Sequence, residues 1–124
     1  MKSCELSRME MTLEWLLPAI LTIVTAATPL VFAAVGEAVV EKAGVLNLGV
    51  EGMMVLGAIT AFATAVSTES GILAVIAGAV AGLALSLIFG VLTVYLQSNQ
   101  VATGLSLTIF GLGLSALIGH SYVG

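Results

Sequence analysis

The chain has 124 residues, of which 60% are hydrophobic and only 8% are charged, and its formal net charge is −4. This composition excludes a water-soluble domain as the body of the chain and predicts an integral membrane protein. The acidic groups lie towards the N-terminus, and no charged side chain occurs from Ser70 to Gly124, so the net charge indicates nothing about partners. No nucleic-acid partner is expected.

Four apolar stretches are each long enough to cross a bilayer as a helix, since about 20 residues span a hydrocarbon core of about 30 Å. A β-barrel is excluded because the stretches are continuously apolar and too long for spanning strands. The predicted class is therefore an all-α integral membrane protein with about four transmembrane helices. The predicted spans are Trp15 to Val35, Val45 to Val66, Ile72 to Leu96 and Val101 to Gly119.

Residues 1–14 mix acidic and basic side chains and are predicted to be a polar lead-in to a transmembrane domain of residues 15–124. The first apolar stretch is too long for the core of a secretory signal, so it is interpreted as a retained span. Cys4 is the only cysteine, which excludes an intrachain disulfide and a cysteine-based metal site. The few basic residues favour a cytoplasmic N-terminus only weakly.

The second span differs from the others because Asn47 and Glu51 interrupt it four residues apart, which predicts that they share one helix face. A carboxyl group inside a span is costly, so Glu51 is expected to face protein or a water-filled cavity. Gly49 and Gly52 would permit a break in this helix, and Asn47 and Glu51 could then line or gate a hydrophilic path. Alternatively, Asn47 caps the helix and Glu51 only bonds a neighbouring helix. Glu37, Glu41 and Lys42 are interpreted as a solvated connection, although Glu37 and Glu41 could instead form an acidic lip.

Small residues recur every four positions in the third span and again in the fourth, which predicts helix faces that allow close packing against a neighbour. This pattern indicates a helix bundle and does not indicate a function. Gly104 and Thr108 form a shorter pair of the same kind. The predicted packing residues are Ala74, Gly78, Gly82, Ser86 and Gly90 in the third span and Gly111, Ser115 and Gly119 in the fourth.

Two segments carry a family resemblance. The first is TPLVFAAVGE followed by EKAGVLNLGVEGMMVLGA, and the second is QSNQVATGLSLTIFGLGLSALIG. Over about Thr28 to Gly119 the chain resembles the N-terminal part of the permease subunits of bacterial ABC importers. It is most similar to the branch for nucleosides and simple sugars, whose relatives include the ribose and branched-chain amino acid permeases.

The resemblance implies a multi-pass subunit of a bacterial inner or plasma membrane that forms part of a larger permease bundle. It also implies three protein partners: a second permease subunit, a cytoplasmic ATPase subunit and an extracytoplasmic substrate-binding lipoprotein. ATP hydrolysis would belong to the ATPase, and the chain itself has no P-loop, no nucleophile with a base and no metal-ligand cluster, so no enzymatic activity and no cofactor are expected. The expected solute is a nucleoside, with simple sugars next.

By the same resemblance, the glycine-rich stretch of the second span and the start of the fourth would lie near the translocation pathway. The residues concerned are Asn47, Gly49, Glu51, Gly52, Asn99, Gln100 and Thr103. Permeases of this kind contain more than four spans, and their ATPase-docking segment lies in the later half. The chain is therefore expected to be an N-terminal portion.

Two alternatives remain open at this point. The first is a small four-helix proton-coupled drug exporter in which Glu51 binds proton and drug alternately. The position of the carboxylate in the second span and an aromatic content of 6% argue against it. The second alternative is a structural subunit of a membrane complex, which the stripes of small residues would also suit.

Overall fold

A computed structural model describes the backbone of residues 2–123 and the side chains of residues 13–123. Within residues 2–123 the fold is all-helical and contains no strand, as predicted. The four helices are α1 (Lys2–Lys42), α2 (Val50–Thr68), α3 (Gly71–Gly90) and α4 (Gln100–Gly119). A π-helical turn, Val91–Tyr95, continues α3, and a 3-10 turn, His120–Tyr122, follows α4.

The prediction of four spans is confirmed, because four helices in the described part are long and apolar enough to cross a membrane. They are Leu13–Lys42, Val50–Thr68, Gly71–Tyr95 and Gln100–Tyr122. Two predicted boundaries are wrong. The first helix continues to Lys42, beyond the predicted end at Val35, and the second begins at Val50, after the predicted start at Val45.

The residues interpreted as a solvated connection, Glu37, Glu41 and Lys42, lie in the last turns of α1. Alanine, glutamate and lysine favour helices, so this stretch has no reason to stop before a glycine is reached. Gly44 has a φ of +84°, the left-handed conformation that commonly ends a helix, and its N–H donates to the Glu41 carbonyl at 2.9 Å. The connection therefore begins after Lys42.

The chain divides into two compact units, of which the first is Met1–Gly36, and its described residues, from Lys2 onward, belong to α1. Helical backbone extends from Lys2 through the predicted polar lead-in, of which Met1 and the side chains before Leu13 lie outside the described residues. Three threonines of this helix donate their hydroxyls to carbonyls four residues earlier, at 2.7 to 2.8 Å. They are Thr22, Thr25 and Thr28. Their hydroxyls are thus satisfied within the apolar stretch of the helix.

In the second unit, Glu37–Gly124, α2 packs against both α3 and α4. A Cβ at Gly78 of α3 would lie 2.8 Å from the Gly57 carbonyl oxygen, and a Cβ at Gly111 of α4 would lie 2.6 Å from the Gly52 carbonyl oxygen. At about 100° per residue, Gly52 and Gly57 lie about 140° apart around α2. Gly52 therefore contacts α4, and Gly57 contacts α3.

A small apolar core supplements these glycine contacts. Leu56, Leu85, Phe89 and Leu107 are its buried members, and partly buried side chains such as Met53 and Ile59 pack against them. Most other large apolar side chains are exposed, and 17% or less of each spanning window in this unit is buried. Close backbone contact is consequently a large part of what holds α2, α3 and α4 together.

The predicted packing residues of α3 and α4 differ in what they touch. Gly78 and Gly111 make the close contacts with α2, a Cβ at Gly82 would lie 3.9 Å from the Met53 carbonyl oxygen, and one at Gly119 would lie 3.7 Å from Ile59 Cδ1. Ala74 is buried and Ser115 is half-buried. Ser86 is exposed, and a Cβ at Gly90 would meet nothing within 4 Å, so the stripe does not touch α2 along its whole length. Crossing helices approach closely only near their crossing point.

Alanine substitution at Gly111 should destabilise the fold. The added methyl group would overlap the Gly52 backbone, and overpacking of this kind typically costs about 1–3 kcal/mol. We expect a lower midpoint of thermal unfolding, followed by circular dichroism in detergent micelles.

The matched control is Gly113→Ala on the same helix, where a Cβ meets nothing within 4 Å. Because alanine favours a helix over glycine by about 1 kcal/mol, this variant should unfold at the same temperature or higher. Equal midpoints for the two variants would contradict the close contact between α2 and α4.

Candidate functional site

The connection between α1 and α2 contains an irregular segment, residues 45–49, without regular helical structure. In a regular helix each N–H donates to the carbonyl four residues earlier, and the hydrogen bonds described for this segment are of other kinds. Non-helical backbone at membrane depth requires hydrogen-bond partners inside the protein. The Val45 N–H donates to the Val40 carbonyl at 3.3 Å. Three further N–H groups, those of Leu46, Asn47 and Gly49, donate to side-chain oxygens.

These three oxygens come from three different parts of the fold. Gln100 Oε1, at the start of α4, accepts from the Leu46 N–H at 2.8 Å. Glu37 Oε1, near the end of α1, accepts from the Asn47 N–H at 2.8 Å. The Asn47 side chain then accepts from the Gly49 N–H through Oδ1 at 2.9 Å. The irregular segment is thereby tied to both neighbouring helices and to itself.

Asn47 is the buried polar residue at the centre of the segment, with 8% of its surface exposed. Its Nδ2 lies 3.7 Å from Met53 Sδ, to which it donates. The prediction that Asn47 and Glu51 share one face of a helix is wrong, because Asn47 precedes α2. The physical reason is local: an asparagine whose side chain bonds the N–H two residues on offers the backbone an alternative to the helix.

One face of α4 lies against this segment. Gln100, Gly104 and Thr108 follow one another at intervals of four residues, and Thr108 Oγ1 donates to the Leu48 carbonyl at 2.9 Å. A Cβ at Gly104 would lie 2.9 Å from the Gly49 nitrogen. The side chains at the two ends of this face therefore bond the segment, and the glycine between them lets the two backbones meet.

Gly49 and Gly52 serve close approach, and α2 is continuous between Val50 and Thr68. A Cβ at Gly52 would lie 2.6 Å from Thr108 Cα, and one at Gly49 would lie 3.3 Å from the Gly104 carbonyl oxygen. The irregular backbone precedes the helix and does not break it. The predicted break within the second span is thus replaced by an irregular approach to a shorter helix.

The structure brings together Asn47, Gly49, Gly52 and Gln100 from the predicted pathway set. Glu51 lies in the first turn of α2, where the helix dipole favours a carboxylate, and its side chain is exposed in the described structure.

Asn99 and Thr103 lie apart from that group. Asn99 caps α4, since its Oδ1 accepts from the N–H groups of Val101 and Ala102. The Thr103 hydroxyl lies 2.9 Å from that of Ser98. Thr103 also lines an open groove of about 390 Å³ beside the π-helical turn, together with Leu92, Ser106 and Phe110.

Sequence reasoning missed Glu37 and Thr108 as partners of the irregular segment. Glu37 was assigned to a solvated connection and Thr108 to a packing pair, because neither residue type reveals a partner distant in sequence. One signal was available: Glu37 is an acidic residue at the end of an apolar stretch, ten residues before Asn47. Intramembrane carboxyl groups usually have a partner.

The chemistry of the site is hydrogen bonding by amide, hydroxyl and carboxyl groups around non-helical backbone. In the part of the chain that the structure describes, no group of three His, Cys, Asp or Glu side chains could hold a metal ion. Such a site suits contact with polar solutes or with other backbone, and nothing in it resembles a set of reacting groups.

Comparison with known proteins bears on both the fold and the site. The family model of the permease component of branched-chain amino acid transport systems matches residues 19–123. This range includes the irregular segment and the side chains that bond it, those of Glu37, Gln100 and Thr108. No solved structure matches the chain.

Three transport proteins are similar over most of the chain. A Haloferax volcanii protein with the provisional name glucose ABC transporter permease protein is 44% identical over 100 residues, which is 81% of this chain and 30% of that protein. The guanosine ABC transporter permease protein of Bacillus subtilis is 30% identical over 98 residues, covering 74% of this chain and 31% of its own length. The nucleoside ABC transporter permease protein of Lactococcus lactis is 28% identical over 97 residues, covering 73% and 31%.

The chain spans about 30% of the length of these relatives. The family match nevertheless covers residues 19–123, and the similarity to each relative extends over about three quarters of the chain or more. The family match and the three relatives confirm the resemblance to ABC permeases, and they agree with the multi-pass helical fold. The chain therefore belongs to the family of permease components typified by branched-chain amino acid transport systems.

Proposed function

We propose that the chain is part of the permease subunit of an ABC importer and contributes to a translocation path for simple sugars or nucleosides. The observation that carries this proposal is the similarity to ABC permeases named for glucose, guanosine and nucleosides. A mostly apolar helical chain with one hydrogen-bonding segment suits such a role. Simple sugars and nucleosides are hydroxylated, and amide and hydroxyl side chains can bond them without a charged partner.

The irregular segment and the start of α4 are the proposed contribution to the path. Asn47 lies in this segment, and Gln100 bonds the N–H of the preceding Leu46. Unwound backbone beside helix termini is a recurrent feature of solute sites in transporters. The remaining sequence-based candidates, Glu51, Asn99 and Thr103, belong to the proposal at lower rank, because none of them contacts this segment through the hydrogen bonds described above.

The partners form part of the same proposal. An importer of this kind needs a cytoplasmic ATPase subunit to hydrolyse ATP, a second permease subunit to complete the path and an extracytoplasmic binding lipoprotein to deliver solute. The site offers no reacting groups, which suits a division of labour in which the ATPase carries out the catalysis. The membrane would be the bacterial inner membrane or the equivalent plasma membrane.

Deletion of the gene should reduce uptake of a sugar or a nucleoside, and restoration should return it. We would measure uptake of radiolabelled glucose and guanosine in the source cells, because both solutes appear in the names of relatives. Leucine is the contrasting solute, since the family is described by branched-chain amino acids.

Loss of leucine uptake alone would overturn the proposed substrate class and leave a permease. Unchanged uptake of all three solutes in the deletion strain would overturn the proposed function.

Replacement of Asn47 by alanine should reduce uptake. The substitution leaves the buried Gly49 N–H without its acceptor, and an unsatisfied buried group costs about 1–3 kcal/mol. The matched control is Ser67→Ala at the exposed end of α2, where the hydroxyl bonds only within its own helix. Equal uptake by the two variants at equal membrane abundance would contradict a role for Asn47 in the path.

Replacement of Glu51 by glutamine should leave uptake unchanged, because the amide keeps a polar side chain of the same length at this position of the proposed path. An ABC importer draws its energy from ATP, so it needs no carboxylate that alternately binds and releases a proton. Uptake should also persist when the proton gradient is collapsed by an ionophore while ATP is maintained. Abolition of transport by Glu51→Gln, with retention by Glu51→Asp, would instead favour the proton-coupled alternative.

A further inference from the structure

The irregular segment is held by side chains that reach it from both sides. Consecutive N–H groups, those of Leu46 and Asn47, donate to oxygens on two different helices, Gln100 of α4 and Glu37 of α1. Neither acceptor is a nearby residue in the chain: Gln100 is 54 residues from Leu46, and Glu37 is 10 residues from Asn47. Two such bonds on adjacent residues restrict both the position and the rotation of the backbone between them.

Glu37 is the less expected of the two acceptors. Its side chain is half-buried and uses a carboxylate oxygen to accept from one neutral backbone N–H. Glu41 lies one turn further along the same helix with an exposed side chain. Its substitution therefore removes the same type of side chain from a position outside the irregular segment's hydrogen bonds.

The backbone that these bonds hold lies close to α4. The Gly49 and Leu48 nitrogens would lie only 2.9 and 3.0 Å from a Cβ at Gly104, so the segment already lies against the α4 backbone. Thr108 bonds the Leu48 carbonyl from the same face of α4. The α4 side is therefore held by several contacts, whereas Glu37 supplies the side-chain hydrogen bond from α1.

We propose that Glu37 and Gln100 form a two-sided clasp on the irregular segment, in which Glu37 is the positioning residue that holds Asn47 at the start of α2. The clasp acts through the oxygen that accepts the Asn47 N–H, and the negative charge is dispensable. This deepens the proposed function, since Asn47 belongs to the proposed path, but the contacts themselves do not depend on any solute. Loss of the acceptor should free the segment locally while α2 stays folded.

Hydrogen–deuterium exchange of the full chain in lipid nanodiscs tests the clasp without a transport assay. In Glu37→Ala, the amides of residues 45–49 should exchange about tenfold faster or more, because the Asn47 N–H loses its side-chain acceptor. Glu37→Gln retains an acceptor oxygen at the same reach and should exchange as the unaltered chain does. Glu41→Ala, the matched control, should also leave this segment unchanged.

Glu37→Asp tests whether the hydrogen bond to the Asn47 N–H or the negative charge holds the segment. It keeps the carboxylate but shortens the side chain by one methylene, so it should behave like Glu37→Ala. If Glu37→Asp exchanges slowly and Glu37→Gln quickly, the charge acts and the clasp is overturned. The clasp is equally overturned if Glu37→Ala leaves the segment protected, or if exchange rises to the same extent around Leu56 in the interior of α2.

Uptake by cells carrying Glu37→Ala and Glu37→Gln reports separately on the proposed function. Reduced uptake in the alanine variant and normal uptake in the glutamine variant would link the clasp to transport. If exchange follows the expected pattern and uptake is normal in both variants, the clasp stands and the proposed place of Asn47 in the path is overturned.

Discussion

Close approach of backbone to backbone is the constraint on which the arrangement of α2, α3 and α4 depends. In a bilayer the surrounding lipid is as apolar as leucine, so burial of apolar surface alone does not bring helices together. Here α2 meets α4 at Gly52 and Gly111 and meets α3 at Gly57 and Gly78, with separations that leave no room for a side chain. The small core around Leu56 and Phe89 lies beside these contacts and adds to them.

A second constraint arises where helical structure stops. Backbone that is not helical must find hydrogen-bond partners inside the protein if it lies within a membrane. In the irregular segment, side-chain oxygens accept from the backbone N–H groups in place of the carbonyls that a regular helix would have supplied. These oxygens belong to Glu37, Asn47 and Gln100. The polar residues of this region thus have a structural task, and any contact with a solute would be added to it.

Composition and the lengths of apolar runs were sufficient to predict the helical class and the number of spans. The glycine motifs carried the family resemblance. The boundary at Val50 and the environment of Asn47 could not be predicted, because four-residue spacing describes a helix face only where a helix exists. Asn47 makes a turn, Glu37 continues α1, and their hydrogen bond joins residues whose relation depends on the left-handed turn at Gly44.

The position of Gly52 and Gly57 has a consequence for how this chain can vary in length. The clasped segment sets where α2 begins, and both glycines are counted from that point. One inserted or deleted residue between Asn47 and Gly52 would rotate the rest of α2 by about 100° and turn both glycines away from their partners at once. Connections between helices commonly tolerate insertions. In this connection a change in the number of residues would disrupt helix packing, just as a change of the glycines themselves would.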